Sequence, residues 1–238
     1  MSNLAQVVNN AQLVPFPPRT PAGLDAALLA RHLPLARHRV RAGQFIHRAG
    51  QPLNALFLMH AGTAKTVLAS ADGRERVTGF AMRGDLLGAD ALGRQTHTGD
   101  AIALEDGEVW EVPLTALLAA CDRVPQLAHG LAATLANDIR VEREWMLATA
   151  TLGAEQRVAQ WLLDLGQRQL SRGYSATHFM LRATRAEIGS FLGLKLETVT
   201  RAMTSLSERG FIAVERRDVR IVDVAGLRAL VAEPARTH

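Results

Sequence analysis

The most constraining stretch of this chain runs from residue 184 to residue 223. Thr184-Arg185-Ala186-Glu187 has capping-box spacing, in which a hydroxyl and a carboxylate satisfy each other's free backbone N–H groups at a helix start. The helix it opens carries Ile188 and Leu192 and stops at Gly193. A second helix begins near Lys195 and runs to Arg209, with Gly210 just past its end as a C-terminal stop. Leu196, Val199, Met203 and Leu206 give that helix an inward face at helical spacing. Two short strands, 211–215 and 219–223, joined by Arg216-Arg217-Asp218, read as a hairpin, and a last helix is expected over 226–232. Helix, short glycine turn, helix and hairpin make a winged helix-turn-helix.

The second helix exposes Lys195, Glu197, Thr198, Thr200 and Arg201 in its first two turns. In a helix-turn-helix this half enters the DNA major groove. Arg201 can donate two hydrogen bonds to guanine O6 and N7, Glu197 can accept from cytosine N4, and Thr200 can touch a thymine methyl. Arg185, Lys195, Thr198, Arg216 and Arg217 are expected on the DNA backbone, where they add affinity without sequence information. A second reading makes Glu197 and Arg201 an i,i+4 surface ion pair, which would also orient the arginine. Charge agrees with an anionic partner. Residues 1–150 hold 14 basic and 14 acidic side chains, whereas the last 88 hold 13 basic and 9 acidic.

The remainder divides by composition. Pro15, Pro17, Pro18 and Pro21 mark residues 1–22 as an arm without regular structure. A short apolar helix fits 24–32. Glycines from Gly43 to Gly107 then punctuate short apolar runs, with Asp72-Gly73 as a hairpin turn, which reads as an antiparallel β-roll. From 114 to 151 glycine is rare and the chain reads helical. Leu135, Ile139, Glu142, Met146 and Thr149 form a heptad-spaced seam, with Leu127 and Leu131 on an adjacent face. Two stripes on one helix imply its own domain on one side and a second copy on the other. The alternative is one wide core face. Another helix covers 154–170, with Val158, Trp161, Leu162 and Leu165 on one face. The expected class is α+β: arm 1–22, antiparallel jelly-roll-like β-roll 23–118, dimerisation helix 119–151 and winged helix-turn-helix 152–238.

Several classes are excluded. No run of about 18 apolar residues offers a membrane helix. The start lacks the basic and apolar regions of a secretory signal, so cytoplasm is expected. Cys121 is the only cysteine, so no disulfide can form within the chain. No nucleophile elbow, phosphate loop or His-Glu-x-x-His argues for an enzyme. Asp85 and Asp90, in a glycine-rich turn region, are read as local backbone acceptors.

On these residues the chain resembles the Crp/Fnr superfamily of bacterial transcription regulators, over about residues 24–230, and most of all its Fnr branch. Gly84-Asp85-Leu86-Leu87-Gly88-Ala89-Asp90-Ala91-Leu92 resembles the turn segment of the family's β-roll, which has the cyclic-nucleotide-binding fold. Glu108-Val109-Trp110-Glu111-Val112-Pro113 resembles its last strand. Fnr-type recognition helices carry Glu-x-x-Ser-Arg, and this one reads Glu197-Thr198-Val199-Thr200-Arg201. The resemblance implies an inverted TTGAT-type repeat, with Thr200 bearing on the outer thymine, and contact with RNA polymerase through segments such as 70–75 and 173–182, as in family activators. It also implies that an acidic residue at Glu142 weakens the dimer, with Arg140 or Arg143 able to neutralise it. Fnr's iron–sulfur cluster needs several cysteines, and one thiolate excludes it. Cyclic-AMP binders pair an arginine with a small hydroxyl residue. Arg94-Gln95-Thr96-His97-Thr98-Gly99-Asp100-Ala101 lacks that pair and adds a carboxylate, which disfavours the nucleotide. No cofactor is expected. The alternative is a haem- or other small-molecule-responsive sensor of the same family, with His32, His38, His47, His60, His97 and His129 as candidate haem ligands.

Overall fold

The computed structural model describes residues 24–70 and 72–234, and the arm expected over 1–22 lies outside them. Helix α1 (Ala26–His32) is capped by Asp25, whose carboxylate accepts the Ala27 N–H at 2.8 Å. Two antiparallel four-stranded sheets follow. One has the order β1 (Ala36–Val40), β8 (Gly107–Pro113), β3 (Ala55–Ala61), β6 (Leu86–Leu87). The other has the order β2 (Phe45–His47), β7 (Asp100–Ala103), β4 (Ala64–Ala69), β5 (Glu75–Ala81). Inward residues of both sheets share one core: Val40, Met59 and Val109 meet Ala64, Ala81, Ala101 and Ala103. Many of these residues are alanines. A second cluster joins Leu29 of α1 to Leu56, Leu58, Trp110 and Val112, and to the helices that follow.

The stretch 114–151 is not one helix. It divides into α2 (Leu114–Cys121) and α3 (Pro125–Thr151). A proline costs nothing at a first helical position, where its missing N–H has no acceptor, but it disfavours helical backbone in the residue before it. Leu117 of α2 and Leu127 of α3 are fully buried in the second cluster.

Beyond Thr151 come α4 (Ala154–Leu170), β9 (His178–Met180), α5 (Arg185–Leu192), α6 (Leu196–Glu208), β10 (Ile212–Glu215), β11 (Asp218–Ile221) and α7 (Val224–Ala232). The hairpin is tighter than its sequence suggests. Glu215 pairs with Asp218, so the turn is Arg216-Arg217 alone, with Arg216 at φ 57°. Strand β9 is unexpected: it adds a third strand to the sheet, in the order β10-β11-β9.

The described chain forms two compact units, 24–143 with 182–195, and 144–181 with 196–234. In the first, α5 packs on β5, with Phe191 edge-on to Phe80 at 5.5 Å and Ser190 Oγ accepting the Val77 N–H at 2.9 Å. In the second, α4 is the central element. It buries Val158, Trp161 and Leu162, and the Gln156 amide donates to the Leu230 and Glu233 carbonyls near the end of α7, at 3.0 and 2.8 Å.

Candidate nucleic-acid interface

The first helix of the pair starts as its residues dictate. Thr184 Oγ1 accepts the Glu187 N–H at 3.2 Å, and Glu187 Oε2 accepts the Thr184 N–H at 2.7 Å. Gly193 ends α5 at φ 66° and ψ 37°, a left-handed conformation that glycine adopts without a Cβ penalty. Glu187 has a second task. Its other oxygen takes the Lys65 ammonium of β4 at 2.7 Å, with both side chains about one-fifth exposed. Burial alone would raise the Glu187 carboxyl, but Lys65 and Thr184 together hold it below the usual range. Arg182 adds an ion pair to Glu105 at 2.9 Å. Arg185, expected on phosphate, is half-buried with Nη1 unpartnered, and burial lowers its pKa.

Helix α6 presents one buried and one open face. Val199, Ala202, Met203 and Leu206 are buried, and Ser205 Oγ donates to Glu155 of α4 at 2.7 Å. Arg209 reaches the same carboxylate at 3.3 Å and lies over the Phe211 ring at 4.6 Å. Glu197, Thr200, Arg201 and Thr204 are exposed on the other side, as is Lys195 just before the helix, while Thr198 is half-buried. Among the described residues, no ion pair ties Glu197 to Arg201. The Thr200 hydroxyl donates to the Leu196 carbonyl at 3.0 Å, so its proton is occupied and its methyl remains for a partner.

Leu196 departs from its expected inward position, at 46% exposed. It stands one turn before the first buried residue, Val199, and so joins Glu197 and Thr200 on the open face. Periodicity alone assigned it to the core. Its place in the first turn, beside Glu197, was the signal that pointed outward.

The wing arginines are both exposed, at the tip of the β10–β11 turn. Arg216 is the only described residue other than glycine with positive φ, a conformation that costs an L residue about 1 kcal/mol. Asp218, expected in the turn, instead sits in the ladder, with His178 of β9 against its carboxylate at 2.9 Å.

On α3 the heptad positions form an open stripe. Ile139 is 50% and Met146 68% exposed, Glu142 is exposed, and Leu135 and Thr149 are half-buried. Arg140 donates to the Asn137 side chain at 2.7 Å. Leu127 lies in the core instead, as the two-stripe reading requires.

In the β-roll, Asp85 accepts the Met82 N–H at 2.8 Å and Asp90 accepts the Thr98 hydroxyl, so both serve local turns. Asp100 accepts the Ala49 N–H at 2.8 Å, and Arg94 is exposed. The histidines scatter. His38 meets Glu111 at 2.7 Å, His60 stacks on Trp110 at 4.2 Å, His32 and His129 are exposed, and among the described residues only His47 and His97 come together. Cys121 is half-buried, and burial followed by Asp122 raises its thiol pKa, which favours an inert thiol. Among the described residues, no three His, Cys, Asp or Glu side chains gather as a metal site, and no helix is long and apolar enough to cross a membrane.

Comparison with known proteins covers both regions. Residues 156–230 match the Crp-like helix-turn-helix domain, and residues 37–124 match the cyclic nucleotide-binding domain. The transcriptional regulatory protein btr of Bordetella pertussis is 33% identical over 215 residues, spanning 90% of this chain and 89% of that one. The transcriptional activator protein anr of Pseudomonas aeruginosa is 35% identical over 191 residues, 80% of this chain and 78% of that one. The structure of FixK2 from Bradyrhizobium japonicum superposes with a TM-score of 0.76 at 27% identity, covering 85% of this chain and all of that one. These relatives are regulators rather than enzymes.

Proposed function

This chain belongs to the Crp/Fnr family of DNA-binding transcription regulators, and from that premise we propose that it reads an inverted repeat resembling TTGAT-N4-ATCAA as a homodimer, without an iron–sulfur cluster or cyclic AMP. The observation that carries this reading is the open face of α6, where Glu197, Thr200 and Arg201 stand exposed on a helix whose other side is anchored to α4. Arg201 takes guanine through two N–H donors, Glu197 accepts from cytosine, and the Thr200 methyl meets a thymine methyl. Leu196 joins them as a second apolar contact. Lys195, Arg216 and Arg217 neutralise phosphates, and Thr198 supports the same backbone. Arg185 joins them only if its guanidinium leaves its half-buried position.

The partner copy pairs along the α3 stripe of Leu135, Ile139, Glu142, Met146 and Thr149. Burying exposed Ile139 and Met146 supplies the association energy, and Glu142 opposes it through like charge. A two-fold dimer places two reading helices about one DNA turn apart, hence the inverted repeat. Activation then requires RNA polymerase contact. Exposed Tyr174 and Met180 in the segment 173–182 supply apolar surface for it. The cytoplasm is where these partners meet.

Selection from a random duplex library with the full chain tests the reading. An inverted repeat with guanine at the third position of each half-site is the expected result. Recovery of no common sequence at moderate salt overturns it.

A further inference from the structure

Residues 88–99 of the β-roll close over a pair of imidazoles that neither DNA reading nor dimerisation uses. His47, on β2, and His97, in that loop, are 5% and 4% exposed. Their rings stack with centroids 4.0 Å apart and planes at 15°. Both nitrogens of His47, and Nδ1 of His97, are buried without a hydrogen-bond partner. Phe57 of β3 extends the stack, 5.9 Å from His47 at 23°. Gly88, at φ 85°, closes one side: a Cβ there would lie 2.8 Å from His97 Cε1. Backbone bonds hold the loop to the chain after β2. Gly50 N–H donates to the His97 carbonyl, and the His97 and Leu53 N–H groups donate to the Gln51 and Gln95 carbonyls, each at 2.9 Å.

Such a stack is stable while both rings are neutral. A proton on either creates a buried cation that its surroundings compensate poorly, and a second proton would put like charges about 4 Å apart. The charged neighbours do not reverse this. Asp90, beyond Gly88, is exposed and engaged by the Thr98 hydroxyl, and Asp100 of β7 is engaged by the Ala49 N–H. Arg48, next to His47, lies over the Phe45 ring at 4.0 Å, and Arg94 is exposed. The two carboxylates and the Gly99 backbone favour a charged His47 ring. Burial, and then His97, outweigh them and pull His47 down to about 4. Burial also lowers His97, against Asp90.

We propose that the His47–His97 stack is an acid-released latch, in which neutral rings hold the loop 88–99 closed against β2 and protonation of either ring frees it. The closed state binds fewer protons than the open one, so acid favours opening. For a ring that titrates at 6.5 when open and about 4 when closed, the open-to-closed ratio rises about tenfold between pH 7.5 and 5.5 from His47 alone. The β-roll then responds to acidification through the loop 88–99. This rests on the β-roll alone and stands whether or not α6 reads TTGAT.

The test follows the histidine ring signals and the amide signals of Gly88, Gly93 and Gly99 by NMR in the full chain, from pH 7.5 to 5. His47 and His97 are expected to take up protons below the ordinary imidazole range, and the glycine amides to shift in step with them. The double variant His47→Phe/His97→Phe keeps a flat apolar pair that cannot titrate, and its glycine amides are expected to stay still. If that variant does not fold, coincidence of ring and glycine transitions in the wild-type chain decides the matter. Ring protonation with unmoved glycines, ordinary titration of both rings, or the same glycine shift in the folded double variant would overturn the latch.

Discussion

On the open face of α6 the charged side chains Glu197 and Arg201 are left to solvent, whereas around residues 88–99 of the β-roll the carboxylates accept bonds from their own chain and the His97 ring is buried. Glu197 and Arg201 are exposed and free of an ion pair among the described residues. Asp85, Asp90 and Asp100 each accept a bond from a neighbour, and His97 lies under its own loop. The first region is a surface whose charged side chains keep their hydrogen-bonding capacity. The second is already satisfied, or tensioned by buried imidazoles. The comparison teaches that two regions of one family fold can offer a partner different things: α6 leaves its charged side chains open, while the carboxylates around residues 88–99 are engaged by the chain itself.

The comparison breaks most sharply at the proposed dimer seam on α3. Ile139→Glu places a charge on the open stripe beside Glu142. It is expected to weaken dimerisation by about a hundredfold or more, as two like charges are forced into a partly buried contact. Sedimentation read beside DNA binding checks it, and unchanged dimers would remove α3 from the interface. Glu142→Ala should act in the opposite direction, tightening the dimer by about fivefold to tenfold, a change of about 1 kcal/mol in the same assay. The wing gives the smallest effect. Arg216→Gly relieves the positive φ, and so is expected to leave the hairpin folded or slightly steadier. It removes one phosphate contact, so the slope of log affinity against log salt should fall by about one, equally for matched and unmatched DNA. A sequence-dependent loss would mean that Arg216 touches bases.

Much of the DNA-reading region was legible because its signals are local. Thr184 and Glu187 lie three residues apart, and Gly193 and Gly210 sit at helix ends, so the starts and stops of α5 and α6 follow from short-range backbone chemistry. The open heptad stripe of α3 was equally plain. What escaped depends on distant partners. Strand β9 is three residues long and exists because β11 offers it a ladder. The docking of α5 on the β-roll joins Lys65 of β4 to Glu187 across 122 positions. The His47–His97 stack joins residues fifty positions apart, each of which read as one histidine among eight. The division between α2 and α3 was announced by Pro125, but helical periodicity on both sides concealed it.

The most direct test of the account is fluorescence anisotropy with the full chain at fixed salt. One duplex carries TTGAT-N4-ATCAA, and a second has the guanine of each half-site replaced. The account predicts a preference of at least about tenfold for the intact duplex, within the reach of one bidentate arginine–guanine contact, and its loss in Arg201→Ala with weak binding to both duplexes retained. Equal affinity of the wild-type chain for the two duplexes would contradict the claim that the open face of α6 reads this sequence.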